Sequence, residues 1–167
     1  MRRLTSIFLI VLSISLLSMV AADACGDKLL RIGRGARFQR SMHPAVVLIY
    51  IPSTAPADVS TQAPRLQSFL KKAGHKANVV QGTSGLGLAL SSSKYDVVLT
   101  DLGQVADVQR EIDGSASKPV VVPMIFSGTK SEVAAAKKHY RCVVKNHNNG
   151  DEYLDAIDEA MRSRTRS

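Results

Sequence analysis

The chain has few aromatic residues and few cysteines. It contains no tryptophan, four tyrosines and four phenylalanines in 167 residues. Aromatic side chains form the stacking platforms of proteins that bind single-stranded nucleic acid, so their scarcity argues against such a surface. Two cysteines are too few for a disulfide-dense scaffold or for a zinc site with four cysteine ligands.

Signatures of catalysis and of metal binding are also missing. The four histidines are scattered, and none lies at ligand spacing from another histidine or a cysteine. No serine stands in the strand–turn–helix motif that exposes a nucleophile. We therefore expect no enzyme, no cofactor and no metal site.

Acidic residues are fewer than basic ones. Lys and Arg number 22 against 14 Asp and Glu, which gives a formal net charge of +8. This excess fits an anionic partner or simply a basic surface. With 45% hydrophobic residues the chain is not disordered, and its length suits one domain. Nucleic acid is the partner that the composition favours least.

The first 24 residues have the pattern of a secretory signal peptide. Arg2 and Arg3 supply the positive charge, residues 7–20 are apolar apart from three serines, and Ala22-Asp23-Ala24 offers a cleavage site. This apolar stretch is shorter than the roughly 20 residues of a membrane-spanning helix. We expect a bacterial-type signal peptide and export to the periplasm or the medium, with an uncleaved anchor as the alternative.

Cleavage after Ala24 would place Cys25 at the new N-terminus. A lipid on Cys25 would tie the protein to a membrane, although Ala22 and Asp23 depart from the lipoprotein pattern. In an oxidising compartment Cys25 could form a disulfide with Cys142, or both could stay as thiols. Membrane association is expected only if Cys25 is lipidated or the signal is not cleaved.

Residues 25–44 form a basic arm. Five cations recur at every third position, at Lys28, Arg31, Arg34, Arg37 and Arg40. A period of three matches neither a helix nor a strand. The arm either docks on phosphate or lipid headgroups or packs on the domain through its few aliphatic residues.

Residues 45–167 alternate between short apolar runs and helical patterns. The predicted strands are Ala45–Ile51, Ala77–Gln81, Tyr95–Leu102, Pro119–Phe126 and Arg141–Lys145. A helix is predicted after each strand. Pro64 is expected in the first turn of the first helix, and a glycine-rich turn is expected before the second, at Leu86–Ser92. Thr129 and Glu132 form a capping box at the start of the fourth helix, and Asn149 caps the fifth. Pro123 predicts a bulge in the fourth strand. Five β–α units indicate a three-layer α/β sandwich with a parallel sheet.

Several strand ends resemble those of the response-regulator receiver domain. Tyr95–Leu102 is similar to that family's third strand, which places Asp101 at the phosphoacceptor position. Residues 142–145 are similar to its fifth strand and place Lys145 at the family's lysine position, and Ser127 falls near its Ser/Thr position. The resemblance covers about residues 45–162 and implies the CheY-like form of the flavodoxin-like fold, with five parallel strands in the order 2-1-3-4-5.

The first strand departs from the receiver pattern. Receivers carry an acidic pair there that helps to hold Mg²⁺, whereas this strand runs into Ile51-Pro52. Magnesium sites use carboxylates together with phosphate oxygens, and phosphoryl transfer depends on the neutralised charge. We therefore expect a receiver-like domain that is not phosphorylated and acts as a protein-interaction or regulatory module in signal transduction.

Two other functions stay open. The first is the binding of a small anionic ligand at the carboxyl ends of the strands, where open α/β sheets place their sites. The candidate residues are Asp101, Ser127, Thr129 and Lys145. The second is a true phosphoacceptor receiver whose N-terminus only resembles a signal. By resemblance, a protein partner is expected on the face built by the fourth and fifth helices and strands.

Overall fold

The computed structural model describes residues 40–125, 129–140, 142–145 and 149–165. The predicted signal peptide and most of the basic arm lie outside these residues. The described chain alternates strands and helices, as β1 (Val46–Ile51), α1 (Ala57–Lys72), β2 (Lys76–Gln81), α2 (Gly82–Ser92), β3 (Val97–Asp101), a 3₁₀ turn (Leu102–Gln104), α3 (Val105–Asp113), β4 (Val120–Met124), α4 (Lys130–His139) and α5 (Gly150–Arg164). Within the described residues, none of these helices is long and apolar enough to cross a membrane.

The strands form a parallel sheet in the order β2-β1-β3-β4. The inner strands β1 and β3 are runs of Val, Leu and Ile, buried over almost their whole length. Continuous β-branched runs are typical of strands covered on both faces. The edge strand β2 instead alternates exposed and buried residues at its start, from Lys76 to Asn78.

Helices cover both faces of the sheet and make three layers. On one face Ile49 and Leu99 pack with Leu70 of α1 and Ile157 of α5. On the other face, the residues that pack together include Leu48, Val98, Leu86 of α2 and Ile112 of α3. The predicted α/β sandwich with a parallel sheet is confirmed.

The predicted fifth strand is reduced to one bridge in the described residues, between Met124 and Val144. The Val144 N–H donates to the Pro123 carbonyl, and the Ile125 N–H donates to the Val144 carbonyl, both at 2.9 Å. The next bond of this ladder would require an N–H from Pro123, which proline lacks. The described part of the chain therefore has four strands where five were predicted, because the proline ends the pairing on the amino-terminal side of Val144.

Pro123 produces no bulge against the neighbouring strand β3. The register runs without interruption from Val97 opposite Val120 to Asp101 opposite Met124. Alternate residues of a parallel strand bond to opposite neighbours, and the Val120 N–H donates towards β3, to the Asp96 carbonyl. Pro123 faces the other side, so its missing N–H costs nothing in the β3–β4 ladder.

Two helices begin earlier than the sequence predicts. Helix α1 starts at Ala57, which places Pro64 in its interior rather than in its first turn. Helix α2 starts at Gly82, so the glycine-rich stretch is helical and not a turn. The predicted capping box of Thr129 with Glu132 and the Asn149 cap of α5 are confirmed.

Candidate functional site

Asp101 lies at the carboxyl end of β3, as its sequence position predicts. Its half-buried side chain accepts the Gly103 N–H at 3.0 Å and so caps the 3₁₀ turn. A methyl group on Gly103 would come within 3.2 Å of the same carboxylate oxygen, so glycine suits this close approach. In the described part of the chain this local cap, and not an ion pair, is the bond of the Asp101 carboxylate.

Lys145 lies on the same edge of the sheet but two strands away. Asp101 is opposite Met124, and Met124 bridges to Val144, which precedes Lys145. Two strand spacings put the backbones of Asp101 and Val144 about 10 Å apart. The exposed Lys145 donates its backbone N–H to Oε2 of Glu152 at 3.0 Å. This bond satisfies the Lys145 N–H, which faces away from β4 at the edge of the sheet.

The Thr129 hydroxyl is engaged in the capping box of α4. It accepts the Glu132 N–H at 3.3 Å and donates to the Glu132 carboxylate at 3.0 Å, while the same carboxylate accepts the Thr129 N–H. These backbone and side-chain bonds lower the pKa of Glu132. A ligand at Thr129 would have to compete with this cap.

The remaining residues singled out from the sequence add little to this edge. Ser127 and Cys25 lie outside the described residues. Cys142 is buried beside the α1–α5 face, at 6% exposure. Strand β1 ends on the buried Ile51. Throughout the described ranges, no group of three or more His, Cys, Asp or Glu side chains is placed to hold a metal ion.

The opposite, amino-terminal edge of the sheet carries a buried carboxylate that sequence reasoning missed. Asp158 of α5 is 6% exposed and accepts three hydrogen bonds. They come from the Ser41 hydroxyl at 3.1 Å, the Met42 N–H at 3.2 Å and the His43 N–H at 2.9 Å. The His43 ring nitrogen Nδ1 lies 3.5 Å from the same carboxylate. Asp158 thus fastens the segment before β1 to the last helix.

His75 lies near this carboxylate and is buried, at 4% exposure. Its Nδ1 accepts the Ala45 N–H at 3.1 Å, which fixes the proton of the neutral ring on Nε2. Burial lowers the pKa of His75, and the Asp158 charge partly opposes that effect. The buried ring is therefore held neutral by its surroundings.

We expect the protein to lose stability as the pH falls below about 6.5, the ordinary pKa of histidine. The unfolded chain then takes up a proton that the folded His75 resists, so the free energy of unfolding decreases, at most by about 1.4 kcal/mol per pH unit for one proton. Urea unfolding between pH 5 and pH 8 measures this slope. In His75→Asn the amide oxygen can accept the Ala45 N–H but does not titrate, so the slope should flatten. An unchanged slope in this variant would assign the pH dependence to other groups.

A pocket of about 400 Å³ opens between α1 and α5. Its walls are mainly apolar and include Ile51 of β1 and Met124 of β4. The pocket lies on the α1–α5 face of the sheet, beside the ends of β1 and β4. It contains none of the site residues predicted from the sequence.

Comparison of the chain with family models, with curated proteins and with solved structures finds no match. The class of protein is therefore defined by the fold itself, an α/β domain with a parallel sheet in the order 2-1-3-4. This order is compatible with a flavodoxin-like fold.

Proposed function

We propose that the chain is an exported, non-catalytic signalling module with a flavodoxin-like fold, in which residues 142–145 are the fifth strand. It binds an acidic partner protein through the surface of α4, which we call the α4 surface: Lys130, Ala134, Ala135, Lys137 and Lys138. The N-terminal pattern supports export. The resemblance to receivers supports an interaction role.

The observation that carries the proposal is the shallow packing of α4. This ten-residue helix buries only Ala136, which packs with Ile125 and Val143 in a small cluster at the sheet edge. Most stability of a protein helix comes from burying an apolar face, so α4 contributes little to the core. A helix with so little buried area has most of its surface left for contacts with another molecule.

The chemistry of the α4 surface favours an acidic partner. Its exposed residues include Lys130 at the start and Lys137 and Lys138 in the last turn. Basic and acidic surfaces attract each other and increase the rate of encounter. The neighbouring sheet edge is less suited than α4 to bind a partner, because an added strand would need the outward-facing Lys145 N–H. That N–H already donates to the Glu152 carboxylate.

A crosslinking experiment in producing cells tests the proposal. A photoreactive amino acid at the exposed position 135 should form one discrete adduct with another protein. The double change Lys137→Glu with Lys138→Glu should reduce its yield at least tenfold, because it reverses the charge at the contact. The matched control is Lys71→Glu with Lys72→Glu, two exposed lysines in the last turn of α1. Equal loss in both variants, or no discrete adduct, would contradict the α4 surface.

The two other functions are less well supported. The Thr129 hydroxyl serves its helix cap, which weakens the case for an anion site at this edge. Phosphorylation would need a magnesium site near Asp101, where β1 offers the apolar Ile51. Magnesium-dependent binding of beryllofluoride that is lost in Asp101→Asn would overturn the proposal and restore the phosphoacceptor function.

A further inference from the structure

The pocket between α1 and α5 is too large to be a packing defect. Protein interiors are packed like organic crystals, and their voids rarely exceed the size of a few waters. An engineered apolar cavity of about 150 Å³ already binds benzene, and ligand pockets measure about 300–1,000 Å³. At about 400 Å³ this pocket lies within the ligand range. Its apolar walls, which include Val59, Leu66 and Met124, suit the body of a small organic molecule.

Phe69 and Gly150 shape one side of the pocket. A Cβ at position 150 would overlap the Phe69 ring, so the ring lies directly against the backbone at the start of α5. A larger residue at position 150 would force the Phe69 ring to shift. The Phe69 ring and the backbone at the start of α5 therefore close this side of the pocket together.

Three polar groups also line the pocket, and none of them is bonded to another side chain of the described residues. Tyr153 lines the pocket and is 3% exposed as a whole residue, and its hydroxyl makes no hydrogen bond within the described residues. The hydroxyl of a pocket-lining tyrosine can donate and accept hydrogen bonds, so this group is available to a ligand. The Gln62 amide and the Arg65 guanidinium also line the pocket, and neither bonds to another described side chain.

The charge at the mouth selects an anion. Arg65 is exposed and also lines an adjoining shallow hollow with Lys72. No Asp or Glu is among the described residues that line either space. Burial raises the pKa of Tyr153, so its phenol stays protonated and can donate a hydrogen bond. The planar guanidinium of arginine matches the two oxygens of a carboxylate.

We propose that this pocket binds a small carboxylic acid with an apolar body of about the size of a medium-length acyl chain or one aromatic ring. The body lies against the walls formed by α1, α5 and the sheet. The carboxylate pairs with Arg65, with Gln62 as a second donor. The Tyr153 hydroxyl donates to an acceptor on the ligand. This binding does not depend on the α4 surface, so the two proposals can fail separately.

Binding of two probes, octanoate and 3-phenylpropanoate, tests the proposal with the mature chain. Isothermal titration calorimetry should show saturable binding of at least one acid. The midpoint of the protein's thermal unfolding should rise as the concentration of that acid increases, because a ligand that binds the folded state stabilises it. Octanamide has the same body without the charge and should bind at least tenfold more weakly. Acetate has the charge without the body and should not bind.

Three variants assign the binding to the pocket. Arg65→Gln should weaken binding of the acid at least tenfold and leave octanamide unchanged, whereas Arg110→Gln, an exposed arginine on α3, should change neither. Tyr153→Phe should weaken binding a few-fold, and Ala63→Leu should fill the pocket and abolish binding of acid and amide alike. If neither acid binds saturably, or if Arg65→Gln behaves like Arg110→Gln, the proposal is wrong.

Discussion

Replacing Asp158 with alanine is expected to lower the free energy of unfolding by about 2–4 kcal/mol, because it leaves three hydrogen-bond donors without their acceptor. The donors belong to residues 41–43, which are only partly buried, so water can replace some of the lost bonds. The measurement is urea unfolding followed by circular dichroism. A loss of stability without a change of slope would show that the folded state alone was weakened.

Conservative replacement separates the charge of Asp158 from its shape. Asp158→Asn keeps one acceptor oxygen, but its NH₂ group would face a backbone donor. We expect about half of the alanine effect, because hydrogen bonds to a charged acceptor are stronger than those to a neutral one.

Asp155 on the same helix is the matched control, and its removal is not expected to destabilise the protein. Burial raises the pKa of Asp155, and the carboxylates of Asp151 and Asp158 raise it further. Its charged form is therefore disfavoured in the folded protein, so Asp155→Ala should be neutral or slightly stabilising at pH 7. If Asp158→Ala unfolds at the same urea concentration as the unchanged protein, the segment before β1 is held by other contacts.

The sheet and its order of elements follow from patterns along the sequence. The runs that became β1 and β3 are short, apolar and rich in β-branched residues, which identifies buried parallel strands. The caps at Thr129 and Asn149 are equally local signals, and both are confirmed. The length of the fifth strand was harder to predict because it depends on the partner strand. Pro123 lies in β4, yet the pairing that it prevents belongs to residues 142–145.

The candidate site was predicted less well than the fold, because one side chain can satisfy two patterns. The sequence placed Thr129 both in a capping box and in an anion site, and the hydroxyl serves the cap. Asp101 has the expected position at the end of β3, but its partner is the N–H two residues later. No local pattern around Asp158 signals its role, since its three donors are more than 110 residues away in the chain. The pocket has no sequence signal, because its walls come from four separate elements.

Arg164 and Arg162 look equivalent in the sequence, where both belong to the basic end of the last helix, but they have different surroundings. The Arg164 guanidinium pairs with the Asp96 carboxylate and donates to the Ser117 carbonyl at 3.2 Å. The other Asp96 oxygen accepts the Val46 N–H at 2.8 Å. Arg164 therefore links α5 to the loop before β4 and, through Asp96, to the start of β1.

We expect Arg164→Ala to lower the free energy of unfolding by about 1–3 kcal/mol, because both partners are partly shielded from water and Asp96 loses its cation. The expected loss is moderate because both side chains are about one-third exposed, which weakens the attraction between their charges. Arg162 pairs with Glu159 one turn earlier on the same helix and is half exposed. Arg162→Ala should therefore cost about 0.5 kcal/mol or less.

Arg164→Lys keeps the charge but loses the planar fork that reaches Asp96 and Ser117 together, so it should restore only part of the loss. Chemical denaturation of the three variants measures these differences. Equal effects of the two alanine changes would mean that Arg164 acts as a surface charge, and full rescue by lysine would mean that the charge matters more than the geometry.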